Sequence, residues 1–210
     1  MAKKIKILFV GETWQGSSAR SMRESLQRIP NISLSEIGED HYLPKYRGRV
    51  LRVCNRILKP LQIADLDREI RVSVAKFKPD VVLVYKGAGI TKKLLVDLSN
   101  SGFSLVNIFP DYSPHAYGAQ LSEAMGRYDL VISTKHFHPA NWQSVYGYRN
   151  KCVCVPHGYD PQVHYWAEPP IEQDVDVVIA ASWRPEYHQL LLEFSAWLND
   201  GGVSVGVAGP

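Results

Sequence analysis

The residues best suited to chemistry lie in Asn107-Ile108-Phe109-Pro110-Asp111-Tyr112-Ser113-Pro114-His115, where a carboxylate and an imidazole follow an apolar run and neither helps a core. Asp111 has two catalytic roles open to it: taking a proton from an attacking hydroxyl, or orienting His115 to do so. An aspartate after proline also makes turns, and that reading stands beside the catalytic one. A second cluster, Ser182-Trp183-Arg184-Pro185-Glu186, sets a forked, permanently charged donor at the start of an expected helix, which suits a diphosphate. Pairing of Arg184 with Glu186 or Glu193 in a capping turn is the alternative. Gly11-Glu12-Thr13-Trp14-Gln15-Gly16-Ser17-Ser18 spaces two glycines ahead of hydroxyls as a phosphate loop does, but Ser17 stands where a nucleoside-triphosphate loop carries lysine. That argues against ATPase and kinase chemistry. The dinucleotide fingerprint also fails, since Gly11 and Gly16 miss its spacing and Gly87-Ala88-Gly89 lacks the third glycine. Gly11, Gly16, Ser17 and Ser18 are left with two readings, a turn that lets substrate reach backbone amides or a plain tight turn. His136, His138 and His157 lack a carboxylate or thiolate at ligand spacing, so polar structural roles and no metal are expected.

Those positions need elements to hold them. Ile5 to Val10, closed by Gly11, predicts a strand, and Ser17 or Ser18 caps a helix with Met22, Leu26 and Ile29 on one face. Ile32 to Ile37 alternates as a strand does, Ala64 to Phe77 predicts a helix ended by Lys78-Pro79, and Val81 to Tyr85 a buried strand. Thr91 caps a helix carrying Leu94, Leu95 and Leu98. Strands over Leu105 to Phe109, Leu130 to Ser133 and Cys152 to Val155 then alternate with helices over Gln120 to Met125 and Pro139 to Tyr146. Continuously apolar strands separated by helices predict an α/β fold with a doubly wound, mostly parallel sheet. Ligands of such sheets bind beyond the carboxyl ends of the strands, which adds Lys86, Gly87 and His157 to the candidate binding residues.

A polar, proline-bearing stretch follows, and Asp176 to Ala181 reads as a new first strand leading through Ser182 and Arg184 to a helix with Leu190, Leu191, Phe194 and Leu198 on its apolar face. The expected division is a complete domain over residues 1–170 and the opening of a second over 171–210. With 45% hydrophobic and 21% charged residues the chain is of ordinary globular composition, and a net charge of +3 implies no nucleic-acid partner by itself. No apolar run approaches the roughly 20 residues of a membrane span, and Met1-Ala2-Lys3-Lys4 leads straight into a strand, so a cytoplasmic location is expected. Cys54, Cys152 and Cys154 are expected to be reduced. Charge is uneven at one place: Lys45 to Lys59 holds six basic residues and no acidic one, with Val50, Val53, Cys54, Ile57, Leu58 and Leu61 at helical spacing. Such a helix either meets an anionic membrane surface or acidic ligand, or is a solvated helix packed on its own domain.

Taken together, these segments resemble the two-domain glycosyltransferases of the GT-B type, and more narrowly the CgeB-like family of spore-maturation-like proteins. The likeness rests on Val10-Gly11 leading to Ser18-x-Arg20, on Pro110-Asp111-Tyr112-Ser113-Pro114, on Tyr128-Asp129-Leu130-Val131-Ile132-Ser133-Thr134, on Val155-Pro156-His157-Gly158-Tyr159-Asp160-Pro161 with His164, and on Asp176-Val177-Val178 leading to Ser182-Trp183-Arg184. The resemblance implies an acceptor-side first domain, Arg20 among its binding residues, and the start of a domain for a nucleotide-sugar donor. It places Ser182 and Arg184 toward the leaving diphosphate, and Asp111 and His115 toward the acceptor hydroxyl. It further implies no cofactor and no metal, with side-chain cations and helix ends meeting the leaving-group charge. Ala180-Ala181-Ser182 departs from the Gly-Ser turn usual at that point, and little turnover is expected of the 210 residues by themselves. A nucleotide-sugar epimerase of the same architecture, or a binding protein that kept the fold, are the alternatives.

Overall fold

In a computed structural model, which describes residues 3–44, 46, 48–162, 164, 175–180 and 185–208, six strands form one parallel sheet. Met1–Val163 and His164–Pro210 form separate compact units. The first unit runs β1 (Ile5–Gly11), α1 (Ser18–Gln27), β2 (Ile32–Gly38), α2 (Glu39–Tyr42), α3 (Arg49–Phe77), β3 (Val81–Tyr85), α4 (Lys92–Leu98), β4 (Ser104–Phe109), α5 (Ala119–Met125), β5 (Leu130–Ser133), α6 (His138–Asn141) and β6 (Lys151–Cys154). Sheet order is β2-β1-β3-β4-β5-β6, all parallel, with Leu8 opposite Val82 and Val82 opposite Leu105. The expected α/β class and doubly wound sheet are thus present. Because β1 hands the chain to β2 on one side and β3 takes it up on the other, the loops after β1 and β3 diverge and open a crevice at the carboxyl edge.

Alternation along the strands splits the core between the two faces. Ile7 and Phe9 pack with Leu83, Tyr85, Ile108 and Ala19 of α1. Leu8, Val10, Val82, Val84, Leu105 and Phe109 pack on the other face against Leu66 and Ile70 of α3, Leu94 of α4 and Leu121 of α5. Carboxylates fasten the strand starts: Lys6 N donates to Asp80 Oδ2 at 2.8 Å and Leu105 N to Asp129 Oδ2 at 2.7 Å. The cysteines are all free, and burial pushes the Cys152 thiol up to about 11.

Two helices differ from expectation. The helix expected from Ala64 begins at Arg49 and runs 29 residues, straight through Pro60. Proline there offers no N–H to the fourth carbonyl back, a loss of about 3 kcal/mol relative to alanine in a helix interior. Pro60→Ala is therefore expected to stabilise this stretch, seen as slower amide exchange around Arg56 and Ala64; unchanged exchange would show that the ring strains nothing. The helix expected over Pro139 to Tyr146 ends at Asn141, and the chain continues in turns that bring Trp142, Tyr146 and Tyr148 together as an aromatic cluster. Met22 and Ile29, expected on the buried face of α1, are exposed, and Ala19 takes that role.

In the second unit β7 (Val177–Ala180), α7 (Pro185–Asp200) and β8 (Val205–Ala208) form a parallel βαβ unit, with Val177 opposite Val205. Ser204 N and Oγ both donate to Asp176 Oδ2, at 2.8 and 2.6 Å. Among the described residues these strands pair only with each other. No described helix is long and apolar enough to cross a membrane.

Candidate functional site

A cavity of about 440 Å³ opens at the carboxyl edge of the first unit's sheet, beside the divergence of β1 and β3. Its walls come from the loops after four strands and from the chain beyond β6, contributing Ser18, Asp40, Lys86, Asp111 and Tyr117 among others. On its wall Lys86 Nζ stands 2.9 Å from Asp111 Oδ2, each side chain about one-third exposed. The ammonium lies 4.1 Å from the centre of the Tyr117 ring. Its angles to the carboxylate make this an ion pair short of a full hydrogen bond. Burial by itself would lower the Lys86 pKa, but Tyr117 and the Asp111 carboxylate outweigh it and hold the ammonium above its ordinary range. Lys86 is a fixed cation.

Both partners are held from behind. Lys86 has φ 62°, a left-handed conformation that costs a non-glycine residue about 1–3 kcal/mol. Three bonds offset it: Lys86 N donates to the Ile108 carbonyl at 2.8 Å, Gly87 N to the Tyr85 carbonyl at 2.8 Å, and buried Asn107 Nδ2 to the Lys86 carbonyl at 3.1 Å. Gly87 completes the turn at φ +76°, where a Cβ would also meet Val84 Cγ1 at 2.6 Å. On the other side the Asp111 loop is fastened by its carbonyls. Thr134 N donates to Phe109 O at 3.3 Å, Thr134 Oγ1 to Pro110 O at 3.0 Å, and His138 Nε2 to Tyr112 O at 2.8 Å. A carboxylate between such anchors is preorganised rather than mobile.

His138, wholly buried, has both ring nitrogens committed: with Nε2 donating to Tyr112, Nδ1 accepts from the Ser133 hydroxyl at 2.5 Å. Burial lowers its pKa from 6.5, and the Tyr112 carbonyl only partly opposes this. Below about pH 6.5 the unfolded chain takes up a proton that the folded chain resists, so stability falls as pH drops through that range and is independent of this group above it. Urea midpoints measured between about pH 7.5 and about pH 5 are expected to show that slope. His138→Gln should flatten it even if the variant is less stable overall, and an unchanged slope would place the titration elsewhere.

Of the residues singled out in the sequence, Gly16, Ser17, Ser18, Lys86, Asp111 and His157 line this cavity together. Ser17 caps α1, its Oγ accepting from Ala19 N at 3.2 Å, so the hydroxyl serves the helix. Ser18 lies on the cavity wall with Tyr85; burial pushes the Tyr85 hydroxyl above its ordinary range, and Ser18 only partly opposes this. Gly11 lies behind the wall, where a Cβ would stand 3.1 Å from the Ala19 Cβ; its small size lets α1 close on β1. Arg20 points to Glu24 at 2.7 Å, and that contact holds the glutamate below its ordinary range. His115 is exposed and packs on Tyr146 and Tyr148, with ring centres 5.7 and 6.3 Å away, so it does not meet Asp111. Ser182 and Arg184 lie outside the described residues. Among the described residues no three His, Cys, Asp or Glu side chains gather as a metal site would require.

Sequence reasoning passed over Glu39, Asp40 and Tyr85 as cavity residues. The rule that selects strand ends would have found Glu39 and Asp40 directly after β2. Glu39 Oε1 accepts from Gly89 N at 2.6 Å, and Asp40 Oδ1 from Thr13 N at 2.8 Å, so these acids also knit the rim loops to each other. The result is a pocket walled by aromatic rings and carboxylates around one lysine. Such a lining suits a neutral ligand rich in hydroxyls, whose O–H groups donate to carboxylates and whose C–H faces rest on aromatic rings.

No protein-family model and no curated protein sequence matches the chain. Solved structures do match. The S. aureus MnaA–UDP complex aligns with 98% of this chain and 61% of its own, at 12% identity and a TM-score of 0.55. The glycotransferase of kitacinnamycin aligns with 99% of this chain and 66% of its own, at 11% identity and 0.54. The UDP-GlcNAc 2-epimerase from Neisseria meningitidis bound to UDP-GlcNAc aligns with 98% and 66%, at 12% identity and 0.54. What they share with this chain is the fold. The Rossmann-like α/β architecture implied by the resemblance to GT-B enzymes is the one found, and the chain spans less than two thirds of the length of each of these proteins.

Proposed function

We propose that this chain is the acceptor-side domain, with the opening of the donor side, of a CgeB-like glycosyltransferase that moves a sugar from a nucleoside-diphosphate sugar to a hydroxyl-bearing acceptor. The observation that carries this is the Lys86–Asp111 pair, held on the wall of a cavity at the point where ligands of such sheets bind. Asp111 takes the proton of the acceptor hydroxyl, the oxygen attacks the anomeric carbon, and the bond to the diphosphate breaks. Lys86, 2.9 Å away, holds the carboxylate in place until the proton arrives. Charge growing on the leaving diphosphate is assigned to Arg184, immediately before the 16-residue helix α7, with no cofactor or metal called on. The proposed location is the cytoplasm.

The test is product analysis with the chain extended through a donor domain, supplied with UDP- and dTDP-sugars. A glycoside formed only when acceptor is present supports the reading. An epimer formed from donor alone would replace it with epimerase chemistry. No product from any donor, with or without acceptor, would leave the fold as a binding scaffold. The 210 residues alone are expected to turn over little; full transfer by them would overturn the assignment of the donor contacts.

A further inference from the structure

The first half of α3 carries its apolar residues on the wrong side for a globular helix. Val50, Val53, Ile57 and Leu61 are 75%, 54%, 72% and 65% exposed, and their spacing puts them in one stripe. The inward side of the same turns is polar: Gln62 Nε2 donates to Asn55 Oδ1 at 2.8 Å, and Asn55 Nδ2 to the Pro44 carbonyl at 3.1 Å. Past Ala64 the arrangement turns ordinary, with Leu66 and Ile70 buried and the outward positions taken by Asp65 and Arg68, ion-paired at 2.9 Å.

Arg49, Arg52 and Arg56 each precede a member of the stripe, so they stand roughly 100° round the helix along one flank. They and Lys59 are exposed, and no acidic residue occurs between Asp40 and Asp65. An apolar ridge bordered by cations matches a surface that is apolar beneath and anionic above. We infer that this half of α3 docks on an anionic membrane surface, Val53, Ile57 and Leu61 entering the acyl boundary while the arginines meet lipid phosphates. A second copy of the chain is a poor occupant, because it would set two such basic flanks against each other. A nucleic acid would engage the arginines and gain nothing from the ridge.

The inference stands apart from the transferase reading, since binding is measured without turnover. The 210-residue chain is mixed with phosphatidylcholine vesicles, with or without phosphatidylglycerol, and sedimented. Binding is expected to the anionic vesicles only, to weaken roughly fivefold for each of Arg52→Gln and Arg56→Gln, and to fade as salt rises. Ile57→Ser and Leu61→Ser, both at exposed positions, should also weaken it, whereas Trp197→Ser on exposed α7 should not. The inference is overturned by equal binding to neutral vesicles, by no binding, or by loss on arginine exchange with the serine variants unaffected, which would mark a plain polyanion contact. It is equally overturned if the chain is a dimer that Ile57→Ser makes monomeric.

Discussion

Exchange of Asp111 for asparagine is expected to slow sugar transfer by about 10²- to 10⁴-fold, the usual contribution of a positioned general base. Asparagine keeps the shape of the side chain and leaves the carbonyl anchors of its loop in place, so the unfolding free energy should stay within about 1 kcal/mol of the parent, the worth of a partly exposed ion pair. The loss should fall on turnover with little change in donor affinity, since Asp111 lies on the first unit and the donor contacts are assigned to the second. Lys86→Met provides the companion measurement. If Lys86 serves chiefly to aim the carboxylate, its removal should lower turnover across the whole pH range while donor affinity stays the same. Transfer retained within a few-fold in Asp111→Asn would remove Asp111 from the chemistry and leave the ion pair a structural clasp.

Truncation of Phe109 to alanine should cost about 3–5 kcal/mol of stability, the range for a fully buried aromatic ring. Phe109 is the last residue of β4, has no exposed surface, and lies 5.8 Å from the His138 ring between centres. It occupies the core face immediately beneath the loop that carries Asp111. A cavity there removes packing from the strand end and loosens the His138 anchor on the Tyr112 carbonyl together. Against a total of about 5–15 kcal/mol for a domain, that is a large share of the margin, read as a fall in the urea midpoint. Phe109→Leu should lose less. A cost below about 1 kcal/mol for the alanine variant would show that the wall beneath the site collapses to fill the space, and that the Asp111 loop does not depend on it.

Asp111 and Lys86 were legible as strand-end residues, yet nothing in their local sequence pairs them, since 25 positions separate them. Their meeting depends on β3 lying beside β4, with Tyr85 opposite Ile108. The same register brings Asn107 under the Lys86 carbonyl. His115 shows the converse: spacing set it beside Asp111, whereas the short 3₁₀ helix Pro114–Tyr117 turns it toward Tyr146 and Tyr148. The basic segment at helical spacing and the helix expected from Ala64 are one continuous helix, and their joining through Pro60 carries no local mark.

By itself the sequence determined the alternation of strands and helices, the α/β class, the cap at Thr91, a cap at Ser17 or Ser18, and most of the strand ends at which a ligand would be met. These depend on periodicity and on capping groups within a few residues, interactions that the chain makes with itself locally. Only the tertiary structure decided the strand order, the pairing of Lys86 with Asp111, the anchors from Thr134 and His138, and the outward turn of the apolar ridge on α3. Each of those is set by which elements lie side by side and which face a helix turns to the sheet, and residues 24 to 26 apart in the chain carry no local mark of the neighbour that packing will give them.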